Sequence, residues 1–97
     1  MIEELDKTYE QLKILRNKAT SKEEFDQIRS QMDTINAQRQ KILRAAINEA
    51  TDEYQAAIDH INEARPLIES AINDLNKIAD AINKVATVIS QIEKVLV

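Results

Sequence analysis

Apolar residues recur along this chain at steps of three and four. Ile2, Leu5, Tyr9, Leu12 and Leu15 fall on one side of a helix predicted over about residues 2–19. Glu3, Glu4 and Asp6 lie in its first turns and Lys13, Arg16 and Lys18 toward its end, the order that complements a helix dipole. The rhythm breaks at Thr20-Ser21. Thr20 with Glu23 and Ser21 with Glu24 both have capping-box spacing, so either residue can open the next helix. The stripe then runs through Phe25, Ile28, Met32, Ile35 and Ile42, shifts by one residue to Leu43, and continues through Ile47, Ala50, Tyr54, Ile58 and Ile61. It predicts one long second helix over about 22–64, roughly 65 Å at ~1.5 Å per residue. Thr51, followed by Asp52 and Glu53 and preceded by Lys41 and Arg44, is where that helix carries signals for a break.

Pro66 marks the next expected boundary. Inside a helix a proline costs about 3 kcal/mol, whereas at the first helical position it costs little, and it disfavours helical geometry at the residue before it. A tight turn at Glu63–Arg65 and a third helix over about 66–96 follow, with a kinked continuous helix as the alternative. The predicted fold is all-α, one domain over residues 1–97. Its helices form an elongated, antiparallel, coiled-coil-like three-helix arrangement, with a compact four-helix bundle as runner-up. Ala-Ile-Asn recurs at 46–48, 71–73 and 81–83, and Ala-Ile-Asp at 57–59. An amphipathic rhythm accounts for that recurrence better than a duplicated unit does.

The last twenty residues stand apart. Twelve are apolar and four charged, and on a helical wheel most of the apolar side chains cover roughly 200°, about twice what a surface helix needs. Along an unbroken second helix the third would meet a single intrachain neighbour over most of its length. Its seam of Ile68, Leu75 and Ile82 is expected to face that neighbour. The uncovered edge is then a candidate protein interface, formed by Ile78, Val85, Val88, Ile89, Ile92, Val95 and Leu96.

Composition narrows the chemistry. The chain has no Gly, no Cys and one Pro, which removes disulfide scaffolds, phosphate-cradling loops and turn-rich β folds. Net charge is −4. Residues 1–50 balance nine basic against nine acidic side chains, while 51–97 hold four against eight. Arg39, Lys41 and Arg44 are not interleaved with aromatics, so nucleic acid is not the expected partner. His60 beside Asp59 and Glu63 is read as a surface residue; the chain lacks a nucleophile elbow and paired Glu-x-x-His motifs. Glu49, Asp52, Glu53, Asp59 and Glu63 lack a glycine-turned calcium loop and read as a solvated face. No catalytic residue, cofactor or metal is expected.

The N-terminal residues have no signal-peptide regions and no run reaches a membrane span, so a cytoplasmic location is expected. The functional expectation is a non-enzymatic interaction module (a scaffold, adaptor or inhibitor) that binds a protein partner or forms a homo-oligomer through the C-terminal helix. A membrane-active amphipathic helical protein, or a subunit of a helical pore assembly, is the alternative. Asp80 and Glu93 on its polar face, without a basic excess or Trp, weigh against that alternative.

Overall fold

A computed structural model describes all residues, Met1–Val97. The chain is 87% helical and has no strands. Four helices follow one another: α1 (Ile2–Lys18), α2 (Lys22–Arg44), α3 (Asp52–Asn73) and α4 (Ile78–Leu96), with a single 3-10 turn, Leu75–Lys77, before the last. The all-α class is as expected, and the runner-up architecture is the one formed. The second helix is broken at 45–51, and the third does not start at Pro66.

Local capping explains the starts. Ser21, not Thr20, takes the N-cap of α2: its hydroxyl accepts from the Glu24 amide at 3.1 Å, while the Thr20 hydroxyl donates to the Glu24 carboxylate at 3.0 Å. Thr51 caps α3 in the same way, accepting from the Tyr54 amide at 3.2 Å and donating to the Asn48 carbonyl at 3.2 Å. Such a cap contributes about 1 kcal/mol. An unbroken α2–α3 rod would forgo it and leave the apolar stripes of both halves without cover. Asp74 ends α3: its amide still bonds the Ser70 carbonyl at 2.8 Å, and its carboxylate accepts from the Asn76 amide at 3.1 Å.

Pro66 lies within α3. Residues 57, 61, 64, 68 and 71 of that helix are buried, in alternating steps of four and three that run straight past the proline. The amide that proline lacks would have bonded the Asn62 carbonyl; Asn62 and Pro66 are both exposed, so water can take its place. Ile61 and Ile68 together gain roughly 3–6 kcal/mol by burial, enough to offset one interior proline. Breaking the helix there would throw Ile68 and Ala71 out of phase with Ile61 and Ala64.

The helices form two hairpins, α1–α2 and α3–α4. Helix α1 packs on α2 and α3, and α4 packs on α3 and α2. The Gln11 side-chain amide donates to the Arg65 carbonyl and Lys18 to the Ile72 carbonyl, both 54 residues apart, so α1 and α3 run parallel. Gln31 to Ile82 and Gln38 to Ile89 are both 51 apart, so α2 and α4 are parallel too. The second hairpin therefore lies beside the first in the same orientation, and the 45–51 connection crosses one end of the bundle from α2 to α3.

The core is one cluster drawn from all four helices, with Leu5, Leu12 and Leu15 of α1 facing Ile28, Met32 and Ile35 of α2, among others. Leu75 is not in it: the expected seam splits into buried Ile68, half-buried Ile82 and exposed Leu75. The molecule exposes 5661 Å², close to the roughly 5,700 Å² of a compact monomer of its mass. Its radius of gyration of 13.1 Å is near the roughly 12.5 Å of a compact 97-residue chain. The three-helix arrangement with one long second helix is thereby corrected to four helices in a bundle of 40 × 20 × 18 Å.

Replacing Pro66 restores a helical hydrogen bond without touching the core. Pro66→Ala is expected to stabilise the fold by about 1–3 kcal/mol, less up to ~1 kcal/mol that proline's rigidity takes from the unfolded chain. Thermal melting should show a rise of several degrees; a fall would mean that α3 depends on the proline.

Candidate functional site

The face of α4 expected to be open is mostly closed. Ile78, Val85, Val88 and Ile92 are fully buried, and Ile89, Val95 and Leu96 are half-buried against the same core. The reason is geometric. With the break at 45–51, α4 has two intrachain neighbours along its length instead of one, and they cover most of its wide apolar arc. Ile78, Val85, Val88 and Ile92 are core positions rather than surface ones. Ile82, expected deep in the seam, instead sits at the α2–α4 edge, its carbonyl accepting from Gln31 at 2.8 Å.

What remains open is at the bundle end where the 45–51 connection crosses. There the start of α1, the end of α2, the start of α3 and the end of α4 come together. Leu43 is the most exposed large apolar side chain inside any helix, at 56%. Ile47, in the connection, separates two hollows. One, of about 450 Å³, is lined by Met1, Ile2, Ile42, Leu43 and Tyr54, with Glu3 and Glu49 at its rim. The other, of about 480 Å³, is lined by Ala45, Ala46, Val95, Leu96 and Val97, with Glu53 and Lys94 at its rim. Of the expected interface residues, Val95 and Leu96 therefore belong to this end. The larger hollow between α2 and α4 is polar, with Ile82 its one apolar member.

Charge at this end follows helix polarity. Helices α1 and α3 begin here and carry acids in their first turns; α2 and α4 finish here and carry Lys41, Arg44 and Lys94 in their last. Glu3 is paired with Lys7, and Glu4 with the N-terminal ammonium at 2.9 Å. That ammonium, by hydrogen bond, holds the Glu4 carboxyl below its ordinary range, helped by the helix backbone. Burial, together with the nearby carboxylates of Glu49 and Glu4, pushes the Tyr54 phenol up.

A second cluster joins α3 to α4. Lys84 Nζ lies 2.6 Å from Glu63 Oε2 and 2.9 Å from His60 Nδ1, and His60 Nδ1 is 3.7 Å from the same carboxylate oxygen. The i,i+3 contact of His60 with Glu63 was legible in the sequence; the lysine from α4 was not. An ammonium has only donors, so Lys84 is the donor in both of its contacts. None of the three lines a hollow. They form a surface tie between helices, with no cavity beside it in which a substrate could be held. Nowhere do three His, Asp or Glu side chains converge to hold a metal ion, and no helix is long and apolar enough to cross a membrane.

None of the protein-family models, curated proteins or solved structures compared with this chain matches it.

Two predictions follow from these placements. An Asp at Val88, fully buried, places an unpaired charge in the core at a cost of several kcal/mol, whereas half-buried Ile82→Asp can turn its carboxylate to solvent. Melting by circular dichroism should show Val88→Asp largely unfolded and Ile82→Asp still folded; the opposite order would return Val88 to the surface. Separately, the hydrogen bond and charge of Lys84 hold the Glu63 carboxyl below 4.5. The stabilisation they give is full above the unfolded carboxyl's range and is lost as pH falls through the lowered value. A carboxyl titration by nuclear magnetic resonance should give a midpoint below 4.5 that rises in Lys84→Met; no change would break the tie.

Proposed function

We propose that this protein is a non-enzymatic interaction module that docks another polypeptide on the connection end of its bundle. One observation carries this reading. Exposed Leu43 and half-buried Ile47 lie at that end with the alanines and valines beside them, around two hollows lined mainly by apolar side chains. The opposite end also exposes Phe25 and Leu75, but they stand among exposed Thr20, Ser21, Asp74, Asn76 and Lys77 and line no hollow. Soluble chains rarely leave a contiguous apolar patch uncovered without a use for it. A module of this kind needs no titratable constellation in a cavity, and neither the Lys84, Glu63 and His60 cluster between α3 and α4 nor the Arg39–Asp6 pair between α2 and α1 lines a hollow.

The membrane alternative draws less support. It needs the apolar face of α4 for the bilayer, and that face is packed against α2 and α3. What stays exposed at the connection end is a compact patch interrupted by Glu3, Glu49, Glu53 and Lys94, not the long basic-flanked stripe that an interfacial helix presents.

A photo-crosslinking side chain at Leu43 tests the docking end in the cells that make the protein. A discrete polypeptide adduct is expected from position 43 and none from position 36, an exposed polar site on the flank of α2. No adduct at 43, or equal adducts at both positions, would overturn the assignment.

A further inference from the structure

We infer that the occupant of the connection end is a second copy of this chain, joined end to end about a two-fold axis. The inference rests on the docking reading above and specifies its partner. Six charged side chains at this end have neither an ion-pair partner within the protein nor, as Glu93 of α4 has from Gln38, a side-chain donor from a neighbouring helix: Lys41, Arg44, Lys94, Glu49, Asp52 and Glu53. They are three cations and three anions, and they are segregated.

The segregation comes from the topology. Helices α2 and α4 are neighbours, both end here, and both carry the cations; α1 and α3 are neighbours, both begin here, and the free anions cluster at the start of α3. The end face thus has a basic half and an acidic half, with Leu43, Ile47 and the two hollows between and beside them. A two-fold axis lying in that face, along the boundary, sets each basic half over the partner's acidic half. It also sets apolar centre on apolar centre. A surface complementary to its own rotated image is what an isologous dimer requires.

Size sets the strength. The Cα cross-section is 20 × 18 Å, so with side chains the contact is limited to roughly 500 Å² per copy, near the low end for specific association. The dimer is accordingly weak, and salt weakens it further because its charge pairs lie at an exposed rim.

Sedimentation equilibrium on the purified full chain, over a wide concentration range, measures this. Wild type should pass from monomer to dimer and shift back toward monomer in high salt. Small-angle scattering of the dimer should give a longest dimension roughly twice the 40 Å of the monomer axis. The double variants Lys41→Glu/Arg44→Glu and Glu49→Lys/Glu53→Lys should each associate at least about tenfold more weakly. Mixed in equal amounts, they should recover a heterodimer, since one end is then mostly acid, with Lys94 remaining, and the other mostly base, with Asp52 remaining. Circular dichroism checks that both remain helical. Leu43→Asp, at an exposed position, gives a second dissociating variant should either double variant unfold.

A wild type that stays monomeric throughout, a dimer of side-by-side dimensions, or double variants that fail to restore each other would overturn the inference. A monomeric wild type whose position-43 crosslinker still captures a different polypeptide would sink self-pairing alone. Absence of any adduct would remove the docking reading with it.

Discussion

The fold depends on holding two helical hairpins side by side in the same direction and in one register. Four side chains do this: Gln11 and Lys18 reach carbonyls of α3, and Gln31 and Gln38 reach carbonyls of α4. Within each pair the donors are seven residues apart, as are their acceptors, so the clasps repeat once per heptad along the parallel contacts. Each is worth only about 0.5–1.5 kcal/mol net. Their larger effect is on slippage. A shift by one turn would unmake them together and leave Gln38, almost fully buried and bonded also to Glu93 at 2.8 Å, without partners in the core. A core made of Ile, Val, Leu and Ala with a single Met, and with no aromatic ring buried, has little shape of its own to prevent such sliding. The polar clasps supply the register that the aliphatic packing leaves weak.

Local signals and the apolar pattern pulled in different directions at two places; the cap prevailed at Thr51 and the apolar pattern at Pro66. At Thr51 a capping sequence stood inside an unbroken apolar stripe. The stripe looked continuous because Leu43, Ile47, Tyr54 and Ile58 keep helical spacing, yet none of them is fully buried. At Pro66 the strongest breaker in the chain stood inside a helix, because the buried positions Ile61, Ala64, Ile68 and Ala71 need one continuous phase. The all-α class, the turn near residue 20 and most of the core of α1 and α2 were legible from periodicity alone. The number of helices was not, since it turns on whether a stripe has anything to lie against.

The same gap explains the displaced site. A wide apolar arc on the last helix correctly signalled that more than one neighbour must cover it. Counting neighbours required knowing that the chain breaks at 45–51, and with that break α2 and α3 together cover it. The connection end was harder to see because it is assembled from four segments distant in sequence. Leu43 next to Ile42, and Val95-Leu96-Val97 in succession, are its only traces: consecutive apolar residues at helix ends, where one face of a helix cannot bury them all.

The charges at that end show how one constraint produces another. Acids at helix starts and bases at helix ends each contribute about 0.3–1 kcal/mol to their own helix. In a bundle whose neighbours alternate in direction, those charges would alternate around each end and largely cancel. Here two of the four contacts are parallel, because the second hairpin lies beside the first in the same orientation, held by the glutamine and lysine clasps. Like ends therefore sit together, and charges chosen for helix stability become a two-sided surface. At the opposite end the pattern is diluted: α3 has no base in its last turn, α4 follows Lys77 with Asp80, and no apolar hollow separates them. Register in the interior and charge segregation at the connection end are consequences of the same parallel packing, so a change that turned one hairpin over would abolish both.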